Sequence, residues 1–133
     1  MQATHISQRA STAFLVLVIV QVAHSIEEYL FRLYEVFPPA RFASGLISSD
    51  RRTGFLVLNL GLIAFGFWCY AVPVRKKLSV AIPLMWFWII LQILNGVGHP
   101  IASLVDRSYI PGTATAPFLL AIAIYLSIAL QKL

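Results

Sequence analysis

The chain alternates between four long apolar runs and short polar segments. A membrane-spanning helix needs about 20 predominantly apolar residues, and these runs lack the period-two alternation that barrel strands require. The runs cover residues 11–33, 53–71, 79–99 and 114–130. The pattern therefore predicts an all-α fold, an integral membrane four-helix bundle in which residues 1–133 form a single transmembrane domain.

Composition and charge narrow the classes of function. Hydrophobic residues make up 59% of the chain and charged residues only 11%, which is too little charge for the surface of a soluble domain. The net charge is +5, but the basic residues flank the apolar runs and do not form the basic face of a nucleic-acid-binding protein. We therefore expect no nucleic-acid partner. Cys69, the only cysteine, lies in an apolar run, which excludes an intrachain disulfide and a thiolate metal cage.

The loops indicate an orientation in the membrane. One side carries Arg9, Arg75, Lys76, Lys77 and Lys132, and the other carries Arg32, Arg41, Arg51, Arg52 and Arg107. The counts are equal, but the triplet at 75–77 occupies the shortest loop, and short cytoplasmic loops are enriched in Lys and Arg. We therefore predict a multi-pass protein of the cell membrane with both termini cytoplasmic. In the longest loop, residues 34–52, Pro38-Pro39 is expected to end the first helix.

Polar residues inside the apolar runs mark a candidate site. An ionisable side chain at the centre of a membrane helix costs at least about 2.5 kcal/mol, so its presence there needs a reason. The first run contains Gln21, His24, Glu27 and Glu28, the second contains Asn59, and the third contains Gln92, Asn95 and His99. Spacings of three and four place residues on one helix face. At a rise of about 1.5 Å per residue, His24, Asn59 and Asn95 are expected to lie on the order of 10–15 Å below one membrane surface, under a lid formed by residues 109–112.

Several of these residues also have purely structural interpretations. Glu28 and Arg32 have the favourable spacing for an ion pair, and His99 precedes Pro100, a position where helices often end. Tyr109 fits the role of an interfacial anchor. Buried amides commonly join membrane helices through hydrogen bonds, an interpretation that applies to Gln21, Asn59, Gln92 and Asn95. Glu27 has the weakest structural explanation, because it has no cation four residues on and stands next to another acid.

The segment His24-Ser25-Ile26-Glu27-Glu28, together with two later elements, resembles the HXXEE family of small membrane proteins. The later elements are His99, within residues 95–100, and Tyr109-Ile110-Pro111-Gly112. All three occur in the order of the family pattern and together span most of the chain. The resemblance implies a polytopic membrane protein. It implies no particular activity, because the function of the family is uncharacterised.

A His/Glu cluster in a membrane fits, first, an embedded enzyme that acts on a lipid-like hydrophobic substrate. His24, His99 and one of the two glutamates would hold a metal ion, since two imidazoles and one carboxylate suit zinc with an open position or non-haem iron. The other glutamate would act as general base. Against such a site, Glu27 and Glu28 are adjacent and point about 100° apart around the helix, so they do not easily both bind one ion. His24, Glu27, Glu28 and His99 are therefore both the metal-ligand candidates and the catalytic candidates.

Two other classes of function need no metal. In a proton-transfer isomerase acting on a lipid, Glu27 would remain protonated and act as the acid, while either histidine acts as the base. Intramembrane acids and histidines are also typical of a small transporter, a proton relay or a ligand-binding membrane subunit. The substrate-binding candidates are Asn59, Asn95 and Tyr109. The expected partners are membrane lipid and a hydrophobic small molecule, and the sequence leaves oligomerisation open.

Overall fold

A computed structural model describes residues 5–132, which form six α-helices and contain no strand. The helices are α1 (Gln8–Leu30), α2 (Leu33–Val36), α3 (Pro38–Ile47), α4 (Arg51–Cys69), α5 (Ala81–Asp106) and α6 (Ala116–Gln131). A π-helical turn, Tyr70–Val74, extends α4. The prediction of an all-α fold is confirmed, and the four predicted spans correspond to α1, α4, α5 and α6.

Three helices are long and apolar enough to cross a membrane: Gln8–Leu30, Arg51–Val74 and Ala81–Asp106. The fourth, α6, is apolar but has only 16 residues, or about 24 Å of helix. It nevertheless returns the chain to the end of the bundle where α1 begins, because His5 and Lys132 line the same cavity. The four helices therefore form a membrane bundle with its first and last described residues at one end.

Helix α6 packs between α1 and α5, and α1 also packs against α4. The core at the centre of the bundle is apolar, with Phe14 and Leu17 from α1, Met85 and Trp88 from α5, and Leu119 from α6. The Phe14 and Trp88 rings meet edge to face, with centroids 6.3 Å apart. The outward faces are equally apolar, which suits contact with lipid. On these faces Leu30, Leu94, Leu104 and Phe118 are 64–79% exposed.

The segment predicted as the longest loop contains two helices. Helix α1 ends at Leu30, and Arg32 takes a left-handed backbone conformation (φ 60°, ψ 49°), which no α-helix continues through. The prediction that Pro38-Pro39 ends the first helix was wrong. These prolines begin α3, where the missing N–H has no helical partner to lose.

The third predicted span was expected to finish at His99, but α5 continues through Pro100 to Asp106. The interpretation of His99 as a helix end is therefore wrong. Proline is tolerated within membrane helices because neighbouring helices stabilise the interrupted backbone. Here α6 supplies that support at close range, since a Cβ added to Gly96 would lie 2.6 Å from Leu120 Cβ. His99 consequently projects from the interior of a regular helix.

Candidate metal centre

Three ionisable side chains converge between α1 and α5. Glu28 Oε1 lies 3.0 Å from His24 Nε2 and 3.1 Å from His99 Nε2. The two imidazole rings meet edge to face, with centroids 4.9 Å apart and an interplanar angle of 81°. All three side chains are buried, with exposed fractions of 0%, 7% and 4% for His24, Glu28 and His99. One ligand atom from each lies within 4.8 Å of the others.

Helix geometry explains this convergence. His24 and Glu28 are four residues apart on α1 and therefore lie on the same face of it. His99 reaches them from α5, whose regular course past Pro100 fixes its direction. Arg32 forms its ion pair with Glu35, at 3.7 Å, so the alternative in which Glu28 pairs with Arg32 is wrong.

The three side chains fit a metal ion. Zinc bonds of about 2.0–2.1 Å in a tetrahedron place neighbouring ligand atoms about 3.3 Å apart, close to the two nitrogen–oxygen distances. His24 Nε2 is buried, and no group in residues 5–132 forms an aligned hydrogen bond with it, although Glu28 is near. A buried nitrogen without such a partner is costly, and coordination would satisfy it. A set of two imidazoles and one carboxylate suits zinc or non-haem iron.

Glu27 points away from this cluster and toward the start of α6. It accepts hydrogen bonds from the Tyr109 hydroxyl, from Ala114 N at 3.2 Å, and from Thr115 N and Thr115 Oγ1 at 3.1 and 2.6 Å. The Glu27 carboxyl therefore accepts from three residues that precede or begin α6, and these contacts fix its position against that helix. Burial and the neighbouring Glu27 carboxylate raise the pKa of the Tyr109 hydroxyl.

Thr115 connects Glu27 to His24, and the sequence interpretation did not include it. Its Oγ1 lies 2.6 Å from His24 Nδ1 and donates to Glu27 Oε2. Because the hydroxyl proton points to Glu27, the Oγ1 lone pair accepts a hydrogen bond from His24 Nδ1–H. This arrangement places the lone pair of His24 on Nε2, facing Glu28. The Thr-Ala-Pro sequence at 115–117 is typical of a helix start, but nothing local indicates a contact with a residue 91 positions earlier.

The predicted lid lies against the two histidines. Gly112 has φ +99°, and a Cβ placed there would lie 2.8 Å from His24 Cε1 and 2.9 Å from His99 Cε1. Only glycine fits this position, because it adopts positive φ freely and has no side chain to meet the rings. The Phe37 ring packs on His99 at a centroid distance of 5.7 Å. The imidazoles are thus enclosed by backbone on one side and by an aromatic ring on another.

Comparison with known proteins places this chain in a family. A family model described as "Protein of unknown function with HXXEE motif" matches residues 15–126. The chain belongs to the HXXEE family. The match spans His24, Glu28, His99 and Thr115, and it confirms the resemblance seen in the sequence. No curated protein and no solved structure matches the chain.

The geometry gives the two glutamates of the HXXEE motif separate partners. The second, Glu28, faces the two histidines, and the first, Glu27, caps the start of α6 and contacts His24 only through Thr115. The 100° between adjacent residues on a helix makes this division possible. The structure thus brings three of the four predicted ligands together and places the fourth, Glu27, against Thr115 at the start of α6.

Asn59 and Asn95 belong to a different polar network, one turn deeper in the membrane. A chain of hydrogen bonds links α5, α1 and α4. It runs from Asn95 to Gln92 (3.1 Å), Gln21 (2.7 Å), Ser25 (2.9 Å), Asn59 (2.8 Å) and the Phe55 carbonyl (3.0 Å). Asn59 therefore joins α4 to α1, as the structural interpretation expected, whereas the hydrogen bond of Asn95 stays within α5. Their role in substrate binding stays a prediction.

Proposed function

We propose that this HXXEE protein is a membrane-embedded, metal-dependent enzyme that acts on a lipid-like hydrophobic substrate. His24, Glu28 and His99 would hold zinc or non-haem iron. The observation that carries the proposal is the approach of two buried imidazole nitrogens to one carboxylate oxygen, at 3.0 and 3.1 Å. Ionisable residues inside a membrane indicate a functional site, because apolar side chains at the same positions would avoid the free-energy cost of burying charge.

The supporting contacts match those of a ligating histidine. Metal-binding histidines usually donate their second ring N–H to a polar partner, which fixes the tautomer and the ring orientation. Thr115, held by Glu27, serves as that partner for His24. Three protein ligands leave a position for water or substrate, and a bound zinc ion would supply Lewis acidity there.

A lipid-like substrate is supported by a narrow slot beside the motif. The slot has a volume of about 140 Å³ and an entirely apolar surface between α1 and α4. Ile26 and Leu30, which flank Glu28 along α1, and Leu60 on α4 line it and are 53–65% exposed. Because these side chains face outward from the bundle, an apolar chain in the membrane has direct access to the slot. Asn59 also lines it, which supports its predicted role in substrate binding.

The metal is tested by elemental analysis of protein purified without a metal-affinity step. We expect about one zinc or iron per chain in the wild type, and its loss in His24→Ala and His99→Ala with the helical circular dichroism unchanged. His5→Ala is the matched control, because His5 is exposed and lies at the opposite end of the bundle. A wild type that binds no metal after reconstitution with zinc and with ferrous iron would refute the proposal.

Metal-free proton transfer on a lipid is a second candidate, and the position of Glu28 between two imidazoles favours it. In this case Glu28 would exchange the proton with His24 or His99, while Glu27 stays ionised. Infrared spectroscopy of metal-free protein tests the assignment. We expect a protonated carboxyl band on acidification that is lost in Glu28→Gln and retained in Glu27→Gln, and the reverse result would contradict it.

A further inference from the structure

The end of the bundle opposite the metal centre is uniformly basic. The acidic residues of the chain are Glu27, Glu28, Glu35, Asp50 and Asp106. They lie in the last turns of α1, in α2, at the start of α4 and at the end of α5, which all meet at the end that carries the metal centre. Arg9, Arg75 and Lys132 lie at the other end, beside the described N-terminal residues. We call this the basic end.

Two cavities meet at the basic end between α1 and α6. The deeper one, the apolar slot of α1 and α6, has a volume of about 490 Å³ and is lined mainly by apolar surface, including Ala13, Val16 and Ile122. The outer one has a volume of about 300 Å³ and is lined by His5, Ser7 and Lys132 among others. The two cavities share Arg9 and Tyr125. An apolar cavity is thus continuous with a basic rim.

We infer that an anionic phospholipid binds at this place, with an acyl chain in the apolar slot and its phosphate against Arg9 and Lys132. The slot extends from Arg9 to Val16 along α1, about 10 Å at 1.5 Å per residue. That direction leads from the membrane surface toward the hydrocarbon, as an acyl chain does. The volume falls within the usual range of about 300–1,000 Å³ for ligand sites.

The basic side chains that line the two cavities favour an anionic headgroup. Among the described residues, no acidic side chain lines either cavity, so a phosphate at the rim would meet Arg9 and Lys132 without a competing carboxylate. A second copy of this chain is a poorer occupant. A symmetric contact through this face would bring the same basic residues of both copies together.

Lipid binding is tested by titrating purified protein in mild detergent with phosphatidylglycerol or phosphatidylcholine of identical acyl chains, followed by native mass spectrometry. We expect preferential retention of phosphatidylglycerol. The variant Arg9→Gln/Lys132→Gln should bind it about thirtyfold more weakly, since each Lys or Arg near an anionic headgroup contributes about fivefold. Lys76→Gln/Arg51→Gln removes the same charge outside both cavities and should bind as the wild type does.

A second pair of variants tests the acyl chain without changing charge. Ala121→Trp fills the slot, because Ala121 lines it, and should abolish retention of either lipid. Ile124→Trp places the same side chain on an exposed part of α6 outside the slot and should retain the lipid. Unchanged thermal unfolding in both variants shows that the bundle is intact.

Four outcomes would overturn the inference. Equal retention of both lipids would remove the headgroup preference. An equal loss of phosphatidylglycerol binding in the two charge variants would show that only the overall charge of the protein matters. Complete displacement by inorganic phosphate would make the ligand a free anion. A lipid-free dimer that Ala121→Trp dissociates would make a second copy the occupant.

Discussion

Replacing Thr115 by valine isolates the contribution of the connection between Glu27 and His24. The substitution preserves the shape of the side chain but removes the hydroxyl, which lies 2.6 Å from His24 Nδ1 and 2.6 Å from Glu27 Oε2. Loss of such a supporting contact typically weakens metal binding 10- to 100-fold, which corresponds to about 1.4–2.7 kcal/mol. We expect a decrease in zinc affinity within this range.

The affinity is measured by competition with a chromophoric chelator in detergent. Thr115→Ser, which restores the hydroxyl, should recover most of the affinity. The ¹⁵N chemical shifts of the His24 ring report the tautomer in metal-free protein. The wild type should carry its proton on Nδ1, and Thr115→Val should shift the population toward the Nε2 tautomer. A Thr115→Val variant with wild-type zinc affinity and an unchanged tautomer would refute the role that we assign to this hydroxyl.

Three further substitutions probe the surroundings of the site. Gly112→Ala should lower both zinc affinity and the thermal unfolding temperature, because its Cβ would lie within 2.9 Å of both histidine rings at a φ of +99°. Unchanged values would contradict the close packing of residue 112 on the two imidazoles. Gln92→Leu leaves Gln21 Oε1 without its 2.7 Å donor and should destabilise the bundle by about 1–3 kcal/mol in denaturant unfolding, with no loss of zinc. The raised pKa of Tyr109 stabilises the fold below the ordinary pKa of this group, near 10, and that contribution is lost as the pH rises through the folded-state pKa. Tyr109→Phe should therefore make the unfolding free energy less dependent on pH above 10, and an unaltered dependence would show that the Tyr109 pKa is not raised in the folded protein.

Hydropathy predicted the four main helices because a backbone in lipid must satisfy its own hydrogen bonds, so a long apolar run has almost no alternative to a helix. The same argument does not predict α2 and α3, because these helices are short and lie at the end of the bundle. Pro38 was ambiguous because proline both ends and begins helices. Only the contacts of the segment with the bundle decide between these outcomes.

Part of the site could be predicted from the sequence, because local helix geometry determines it. His24 and Glu28 share a face of α1 by local geometry, and His99 was placed at a similar depth by counting residues along α5. The roles of Glu27 and Thr115 depend instead on how α6 packs against α1, and no spacing within either helix encodes that packing. The asparagines show the same limit, because depth alone does not tell which neighbouring helix an amide faces.

The cap that Glu27 forms on α6 has a consequence for the order of membrane insertion. The donors to its carboxylate come from Tyr109, Ala114 and Thr115, residues synthesised 82–88 positions after it. Chains emerge from the ribosome N-terminal end first, so α1 reaches the bilayer with an acid whose partners do not yet exist. Glu28 can already contact His24 within the same helix, but Glu27 has to keep access to water or headgroups until α6 arrives. Helix α6 therefore completes the burial of α1, although it is synthesised after it.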